Sequence, residues 1–354
     1  MIKDLVTKLV SFKTIYGNEN EFFECFSYIK NYLKNEDLTI REYFFNGFKS
    51  MVISNSPTKD FDIIFVGHID VVPGLKEQFN PYIKNDKLYA RGAFDMKGHV
   101  GVMIEIMKNL SIINTKYNVA LFITSDEEMG GFYGVNKLLN EIKYKAKLAI
   151  VPDAGNNFSH IIEEKGVLQL KLSYNGKSAH SSFPFDGDNA LVSLIDLYNA
   201  LIKKYPLPKD KNDYRTSINL SKISGGEAIN KVCDYAYMLL DIRHVSNDLK
   251  TDFINFIKEY NSNILVEIIA EGDEFIYLEN ELSVKYLNSC NKILDKKIKT
   301  KKCNSSSDGR FFYKKGISTI LMNAKGKNLH GNNEYVDLTS LELLYKIYED
   351  FLSE

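Results

Sequence analysis

Several features that would point to a membrane protein are missing from the sequence. No run of apolar residues is long enough to span a bilayer. The first residues, Met1–Asp4, lack the apolar core of a signal peptide. The chain has no tryptophan, no internal repeat and no low-complexity tract. We therefore expect a soluble cytoplasmic protein with no membrane partner.

Cysteine motifs and an excess of one charge are missing as well. The four cysteines lie far apart and form no CxxC pair, which favours reduced thiols over a disulfide framework. The formal net charge of -1 gives no reason to expect nucleic acid as a partner. No GxGxxG follows a predicted strand and no P-loop lysine motif occurs, which argues against a nucleotide-binding protein.

The length of 354 residues exceeds what one core usually supports, so we expect two domains. Residues 1–35 carry apolar side chains at helical spacing and predict two amphipathic helices. From there to residue 151, strand-like and helical segments alternate, which predicts an α/β domain with a mostly parallel central sheet and helices on both faces. These segments are Met51–Ile53, Ile63–Val66, Val100–Met107, Val119–Ile123, Val135–Ile142 and Leu148–Val151.

The pattern changes after Gly166. Val167–Leu172 alternates between apolar and polar residues, as expected of a sheet with one face in water. Further strands (217–223, 235–242, 264–268) and helices (190–203, 249–260) predict a smaller α+β domain. A helix from about residue 278, the strand Thr319–Met322 and a helix at 340–352 then return to the first domain. We place the first domain at residues 1–165 and 276–354 and the inserted domain at 166–275.

Polar side chains follow the predicted buried strand Ile63–Val66. His68 and Asp70 are two apart and point to the same side of an extended chain. A carboxylate beside an imidazole is a common partner of a metal-binding histidine. A further acid, Asp95, lies between glycines just before a predicted helix.

Other acids and histidines follow other predicted strands. Glu127 and Glu128 follow one strand, Asp153 follows the next and His330 lies beyond the last. The carboxyl ends of parallel strands meet at one edge of a sheet, where the functional crevice of open α/β folds lies. Each position alone has an ordinary explanation as a loop histidine, a helix-start acid or a turn residue. Together they offer the ligands that a pair of zinc-like ions prefers.

These segments resemble a known family. Six segments occur in the order found in the two-zinc aminoacylases and carboxypeptidases, and the resemblance covers nearly the whole chain. The segments are VGHIDVVPG, ARGAFDMKGHVG, TSDEEMGG, VPDAG, GKSAHSSFPFDGDNA and the one that carries His330. That family includes succinyl-diaminopimelate desuccinylase, acetylornithine deacetylase and several dipeptidases. The resemblance implies a catalytic metal-binding domain with an inserted lid that forms a homodimer.

The resemblance also implies roles for the site residues. His68 and Asp153 would hold one zinc ion, Glu128 and His330 the other, and Asp95 would bridge both. Glu127 would be the general base, and Asp70 would orient His68. Co²⁺ or Mn²⁺ could replace zinc.

Candidates outside this set come from the same resemblance. His180 would donate a hydrogen bond to the oxyanion from the lid of the partner subunit. Substrate contacts would come from Asn230, Arg243, Ser306, Ser307 and Gly309. Two departures from the family are visible: Cys233 stands where proline is usual, and Cys303-Asn304-Ser305 replaces the glycines that lead into the desuccinylase loop.

We expect a zinc-dependent hydrolase of amino-acid biosynthesis that removes a succinyl or acetyl group from an amino acid with a free carboxylate. A dipeptidase or carboxypeptidase on the same scaffold is the alternative. A catalytically silent binding module is a third possibility, but the expected ligands and the base are all present. The expected partners are a small N-acyl amino acid or short peptide and a second copy of the chain.

Overall fold

The computed structural model describes residues 2–210 and 212–353, which form two compact units. The first unit comprises Met1–Ile162, Ile276–Lys301 and Ser307–Glu354, and the second comprises Glu163–Phe275 and Lys302–Ser306. Compared with the predicted boundaries, residues 163–165 and 302–306 lie with the second unit.

The α-helices of the described residues are, in chain order, α1 (Ile2–Ser11), α2 (Glu19–Tyr32), α3 (Gly98–Lys108), α4 (Leu110–Ile113), α5 (Val135–Asn140), α6 (Ala190–Lys204), α7 (Asn247–Tyr260), α8 (Glu281–Leu294), α9 (Gly309–Tyr313) and α10 (Leu338–Ser353). The β-strands are β1 (Thr39–Phe45), β2 (Phe48–Ser54), β3 (Asp60–His68), β4 (Tyr82–Lys84), β5 (Lys87–Tyr89), β6 (Val119–Thr124), β7 (Lys145–Val151), β8 (His160–Glu164), β9 (Gly166–Asn175), β10 (Ser217–Gly225), β11 (Tyr235–His244), β12 (Leu265–Gly272), β13 (Phe275–Ile276), β14 (Thr300–Cys303), β15 (Ser318–Leu321), β16 (Gly326–Lys327) and β17 (Tyr335–Asp337).

The main sheet of the first unit has a parallel centre. Its strands follow the order β1-β2-β6-β3-β7-β15-β8-β13, and β14 pairs with β8. The neighbours β6, β3, β7 and β15 run parallel. Strand β2 is antiparallel to β1 and β6, and β8 is antiparallel to β15. Ile63 and Phe65 lie in the main core, and the intervening Ile64 and Val66 are equally buried. Burial on both faces is the reason that β3 reads as a continuous apolar run.

Helices α1, α2, α3, α8 and α10 also contribute side chains to the main core. Phe65 packs against Tyr348 of α10 with ring centroids 4.8 Å apart. Gly101 allows α1 and α3 to approach closely, because a Cβ at this position would lie 2.5 Å from Val6 Cγ2. A small antiparallel sheet, β16-β17-β5-β4, completes this unit.

The second unit is built on the antiparallel sheet β10-β11-β9-β12. Strand β9 alternates between buried and half-exposed residues, so one face packs in a core and the other meets water. Helices α6 and α7 supply apolar side chains to that core. The Asn189 side chain caps α6 by accepting hydrogen bonds from Leu191 N and Val192 N.

The structure confirms the predicted α/β fold with a mostly parallel central sheet. It also confirms the two N-terminal helices and the strand that alternates after Gly166. The prediction missed β1, β4, β5, β8, β13, β16 and β17. Five of these strands have only two or three residues, which is too short to carry a readable period. Within residues 2–210 and 212–353, no helix combines the length and apolar character needed to cross a bilayer.

His160 should make the stability of the protein depend on pH. Its side chain is buried at the start of β8, and burial lowers its pKa from 6.5 to about 4. The unfolded chain therefore takes up a proton first, so stability falls as the pH drops below 6.5 and levels off below pH 4. We expect the titration of His160 to lower the free energy of unfolding by about 2.5 kcal/mol between pH 7.5 and pH 4.5.

The measurement is thermal unfolding of the wild type and His160→Asn across that pH range. The variant should lose less stability in acid than the wild type. Identical pH profiles would show that His160 does not titrate in this way.

Candidate active site

The four central parallel strands bring distant loops to one edge of the main sheet. Strand β3 ends at His68, β6 is followed by Glu127 and Glu128, and β7 is followed by Asp153. The loop that carries His330 follows β15. Because these strands run parallel, their carboxyl ends lie at the same edge, and the acidic and histidine side chains converge there.

His68 is buried and lies at the centre of a group of half-buried carboxylates. Its Nε2 atom is 3.2 Å from Asp95 Oδ1 and 3.7 Å from Asp153 Oδ1. Glu127 Oε2 lies 3.9 Å from the same nitrogen. The structure therefore brings together three predicted ligands and the predicted base.

Asp95 also faces the second histidine. Its other oxygen, Oδ2, lies 3.0 Å from His330 Nε2, and that nitrogen is 3.2 Å from Glu128 Oε1. Each oxygen of one carboxylate therefore points to a different histidine. A carboxylate in this position can bridge two cations.

Asp70 lies beside His68 Nδ1 with both its backbone and its side chain. The carbonyl oxygen of Asp70 lies 3.0 Å from His68 Nδ1, whereas its carboxylate Oδ1 is 3.4 Å away. The other carboxylate oxygen accepts a hydrogen bond from Glu128 N at 2.9 Å. Asp70 thus contacts His68 mainly through its backbone and holds the segment that carries Glu128 through its side chain.

The side chains present fit divalent ions of the zinc type. Because His68 Nδ1 faces a carbonyl oxygen, it donates a proton there, and Nε2 keeps a lone pair. Within the part of the chain that the structure describes, this buried Nε2 has no hydrogen-bond partner. Two triplets of ligand atoms, each within 4.8 Å of one another, are available: His68, Glu127, Asp153 and Asp95, Glu128, His330. Imidazole nitrogens and carboxylate oxygens are ligands that zinc accepts.

The carboxylates of the site are crowded, and their pKa values reflect it. Burial raises the pKa of Asp153 to about 8, and burial with the nearby Asp153 charge raises the pKa of Glu127 well above its usual value. Burial would also raise the pKa of Asp95, but the nearby imidazoles of His330 and His68 outweigh it and lower that pKa. Hydrogen bonding to Asp95 raises the pKa of His330 to about 10. Cations that bind to these side chains would displace the protons that the side chains hold.

The loop with the predicted residues Ser307 and Gly309 is joined to the acidic loop after β6. Arg310 Nη1 donates to Ser307 O at 2.8 Å, and Nη2 donates to Gly130 O at 2.6 Å. The sequence analysis did not single out Arg310, although it directly follows the predicted residue Gly309. Ser306 lies with the second unit.

The remaining predicted residues lie in the second unit. Ser181 N donates to Asn230 O at 3.0 Å, and His180 forms an isolated β-bridge with Lys231, so His180 and Asn230 are neighbours. His180 and Asn230 lie near the end of β11 that begins at Tyr235, whereas Arg243 lies near the other end of that strand. Arg243 lies eight residues beyond Tyr235 along the strand, a distance of about 26 Å.

Asn230 and Arg243 of the same chain are therefore too far apart to contact one substrate carboxylate. Arg243 is also engaged already, because its Nε and Nη2 atoms donate to the two carboxylate oxygens of Asp241 at 2.8 and 3.2 Å.

Two further buried residues were missed by the sequence analysis. Glu334 accepts a hydrogen bond from Asp95 N at 3.1 Å, and Arg91 donates to His330 O at 3.1 Å. Arg91 lies within the quoted ARGAFDMKG segment and Glu334 four residues after His330. Their positions beside two predicted ligands were the available signal.

Comparison with known proteins identifies the family of the chain. The sequence profile described as Peptidase family M20/M25/M40 matches residues 64–354. The chain is 29% identical over 316 residues to a succinyl-diaminopimelate desuccinylase from Pelagibacter ubique, and the alignment covers 82% of each chain.

Two solved structures share the fold at low sequence identity. A tripeptidase from Staphylococcus aureus has a TM-score of 0.79 and 22% identity, with 99% of this chain and 97% of that chain covered. The M20 family metallo-carboxypeptidase Sso-CP2 from Sulfolobus solfataricus has a TM-score of 0.80 and 18% identity, with 99% and 98% covered.

Single substitutions should separate the two metal positions. We expect the wild type to bind two divalent ions, His330→Ala to lose one of them, and Asp95→Asn to weaken both because Asp95 faces both histidines. Titration of chelator-treated protein with Zn²⁺ by calorimetry, with metal analysis of the dialysed samples, measures this. Full stoichiometry in Asp95→Asn would contradict a bridging role.

Proposed function

This chain belongs to peptidase family M20/M25/M40, and from that premise we propose which reaction the metallohydrolase catalyses. The proposed reaction is hydrolysis of the amide that joins a succinyl or acetyl group to an amino acid bearing a free carboxylate. Water is added across that amide, so the products are a free carboxylate and a free amine. The desuccinylase-named relative supports this choice of substrate class.

One observation carries the proposal: the two oxygens of Asp95 face two histidines from different loops, at 3.2 and 3.0 Å. That arrangement suits two metal ions, and zinc is the first choice for these ligands. We propose His68 and Asp153 as ligands of one ion, Glu128 and His330 as ligands of the other, and Asp95 as the bridge. The ions, when bound, would polarise the substrate carbonyl and acidify the attacking water.

Glu127 is the proposed general base. Its Oε2 atom lies 3.9 Å from His68 Nε2, at the edge of the ligand group. Burial raises its pKa well above the usual value, which makes it a stronger proton acceptor than an exposed glutamate. Glu127 would accept a proton from the attacking water and donate it to the leaving nitrogen.

The proposed active enzyme is a homodimer formed through the inserted unit. Strand β12 is an edge strand of that unit and exposes Leu265, Ile268 and Ile269. An exposed apolar edge strand is a surface that proteins usually cover. Within one chain Asn230 and Arg243 cannot reach the same carboxylate, so a shared site would take His180 and Asn230 from one subunit and Arg243 from the other.

His180 is the proposed oxyanion donor. It is exposed, and its Nδ1 accepts a hydrogen bond from Ser182 N at 3.2 Å, which leaves Nε2 to carry the proton. Nε2 can then donate to the oxygen that becomes negative during attack on the amide.

The loop that contains Ser307 and Gly309 supports a second candidate function. Ser307 and Gly309 retain the desuccinylase-like pattern, and Gly309 N donates to Ser307 Oγ at 3.3 Å. The preceding Cys303-Asn304-Ser305 replaces the usual glycines, which changes the surface offered to a succinyl carboxylate. A dipeptidase or carboxypeptidase activity on the same scaffold is therefore the second candidate.

A substrate panel tests the proposed reaction and separates the candidates. We expect the zinc-loaded wild type to hydrolyse succinyl-diaminopimelate or acetylornithine faster than simple dipeptides. Glu127→Gln should retain bound metal and lose about 10²–10⁴-fold in kcat, because it cannot accept the proton. Faster cleavage of dipeptides would select the second candidate, and a metal-loaded protein that hydrolyses nothing on the panel would contradict both.

His180→Ala should lower kcat by about 10²–10³-fold while metal content stays unchanged. If His180 acts across a dimer, mixing His180→Ala with Glu127→Gln should restore activity. Random pairing puts half of the dimers in the mixed form, each with one intact site, so about a quarter of wild-type activity should return. Mixing without recovery would place His180 in its own chain's site or outside catalysis.

A further inference from the structure

A buried ion pair connects the loops that carry Asp95 and His330. Arg91 Nη1 lies 2.8 Å from Glu334 Oε2, and the two side chains are 4% and 1% exposed. We propose that Glu334 and Arg91 are positioning residues, which hold Asp95 and His330 in the relative placement that metal binding needs. This inference rests on the proposed function, because that function makes Asp95 and His330 ligands.

Glu334 fixes the backbone around Asp95. Its Oε1 atom accepts hydrogen bonds from Phe94 N at 2.9 Å and Asp95 N at 3.1 Å. Its Oε2 atom accepts from Gly92 N at 3.0 Å and from Arg91. Four donors thus surround one buried carboxylate, and one of them is the peptide nitrogen of the proposed bridging ligand. A shift of Glu334 would leave several buried N–H groups without an acceptor.

Arg91 extends the same network to the other loop. Its Nη2 atom donates to His330 O at 3.1 Å, so a single guanidinium contacts both Glu334 and the backbone of the second histidine. Gln78 holds the next residue, because its Nε2 atom donates to Gly331 O at 2.9 Å.

The backbone of His330 needs such support. Its φ angle is 58°, in the left-handed region that non-glycine residues adopt infrequently. Such conformations persist where surrounding contacts hold them in place, and the Arg91 and Gln78 hydrogen bonds are contacts of this kind. The contacts therefore fix the direction from which His330 Nε2 approaches Asp95.

The planar guanidinium is suited to this task. Its separate N–H groups reach a carboxylate and a carbonyl at the same time, which a lysine ammonium on a flexible stem cannot do with the same geometry. Arg91→Lys keeps the positive charge that pairs with Glu334 but loses the planar set of N–H groups that reaches two acceptors. That variant separates positioning from charge balance.

The test compares Glu334→Gln with Glu105→Gln as a matched control. Glu105 is equally buried, lies on α3 and accepts a hydrogen bond from Tyr32 Oη at 2.6 Å, away from the ligand loops. Readouts are the visible absorption spectrum of the Co²⁺-loaded protein, metal affinity by chelator competition, and thermal unfolding of the chelator-treated protein. None of these requires a substrate.

We expect Glu334→Gln and Arg91→Lys to alter the Co²⁺ spectrum and to lower metal affinity about 10–100-fold, as changes beside metal ligands usually do. Glu105→Gln should keep the wild-type spectrum and affinity even where its thermal stability falls. If Glu334→Gln does not fold, Arg91→Lys carries the test.

Two outcomes would overturn the inference. A wild-type spectrum and affinity in both Glu334→Gln and Arg91→Lys would show that the ion pair does not position the ligands. Equal loss of metal affinity in Glu105→Gln would show only a general effect on stability. Failure of the wild type itself to bind metal would instead overturn the proposed function, and this inference with it.

Discussion

The carboxylate of Asp95 is the contact on which the candidate site depends, because each of its oxygens faces a different histidine. His68 ends a central strand, and His330 belongs to a loop near the other end of the chain. These three side chains can meet only if the first unit folds from both terminal portions of the sequence. The parallel strands β6, β3, β7 and β15 provide that arrangement, since all four deliver their following loops to one edge.

Crowding of acids at this edge opposes folding, and the surrounding structure compensates for it. Burial raises the pKa of Asp153 to about 8, which shows that its charged form is disfavoured where it lies. The large apolar core, in which Phe65 and Tyr348 are in contact, stabilises the folded protein. This stabilisation offsets the destabilising effect of the crowded acids. Backbone N–H groups also offset part of the negative charge, as at the carboxylate of Glu334.

Much of the fold could be predicted because its elements carry strong patterns. The run Ile63–Val66 reads as a buried strand, the alternation after Gly166 reads as a half-exposed one, and both are present. The gathering of His68, Glu128, Asp153 and His330 followed from placing such strands in parallel, and the resemblance joined Asp95 to them. Contacts between loops had no such signal: nothing in the spacing of Arg91 and Glu334 indicates an ion pair. Arg243 was placed with Asn230 by resemblance, and only the strand register shows their separation.

The order of strands in the main sheet has a consequence for biosynthesis. Strand β15 lies between β7 and β8, although it is made more than 150 residues after them. A nascent chain on the ribosome therefore has a gap in its main sheet until Leu321 has emerged. The antiparallel sheet of the second unit comes from the continuous stretch 166–272 and can close earlier. The candidate site, which includes His330, can therefore form only after the sheet of the second unit has been synthesised.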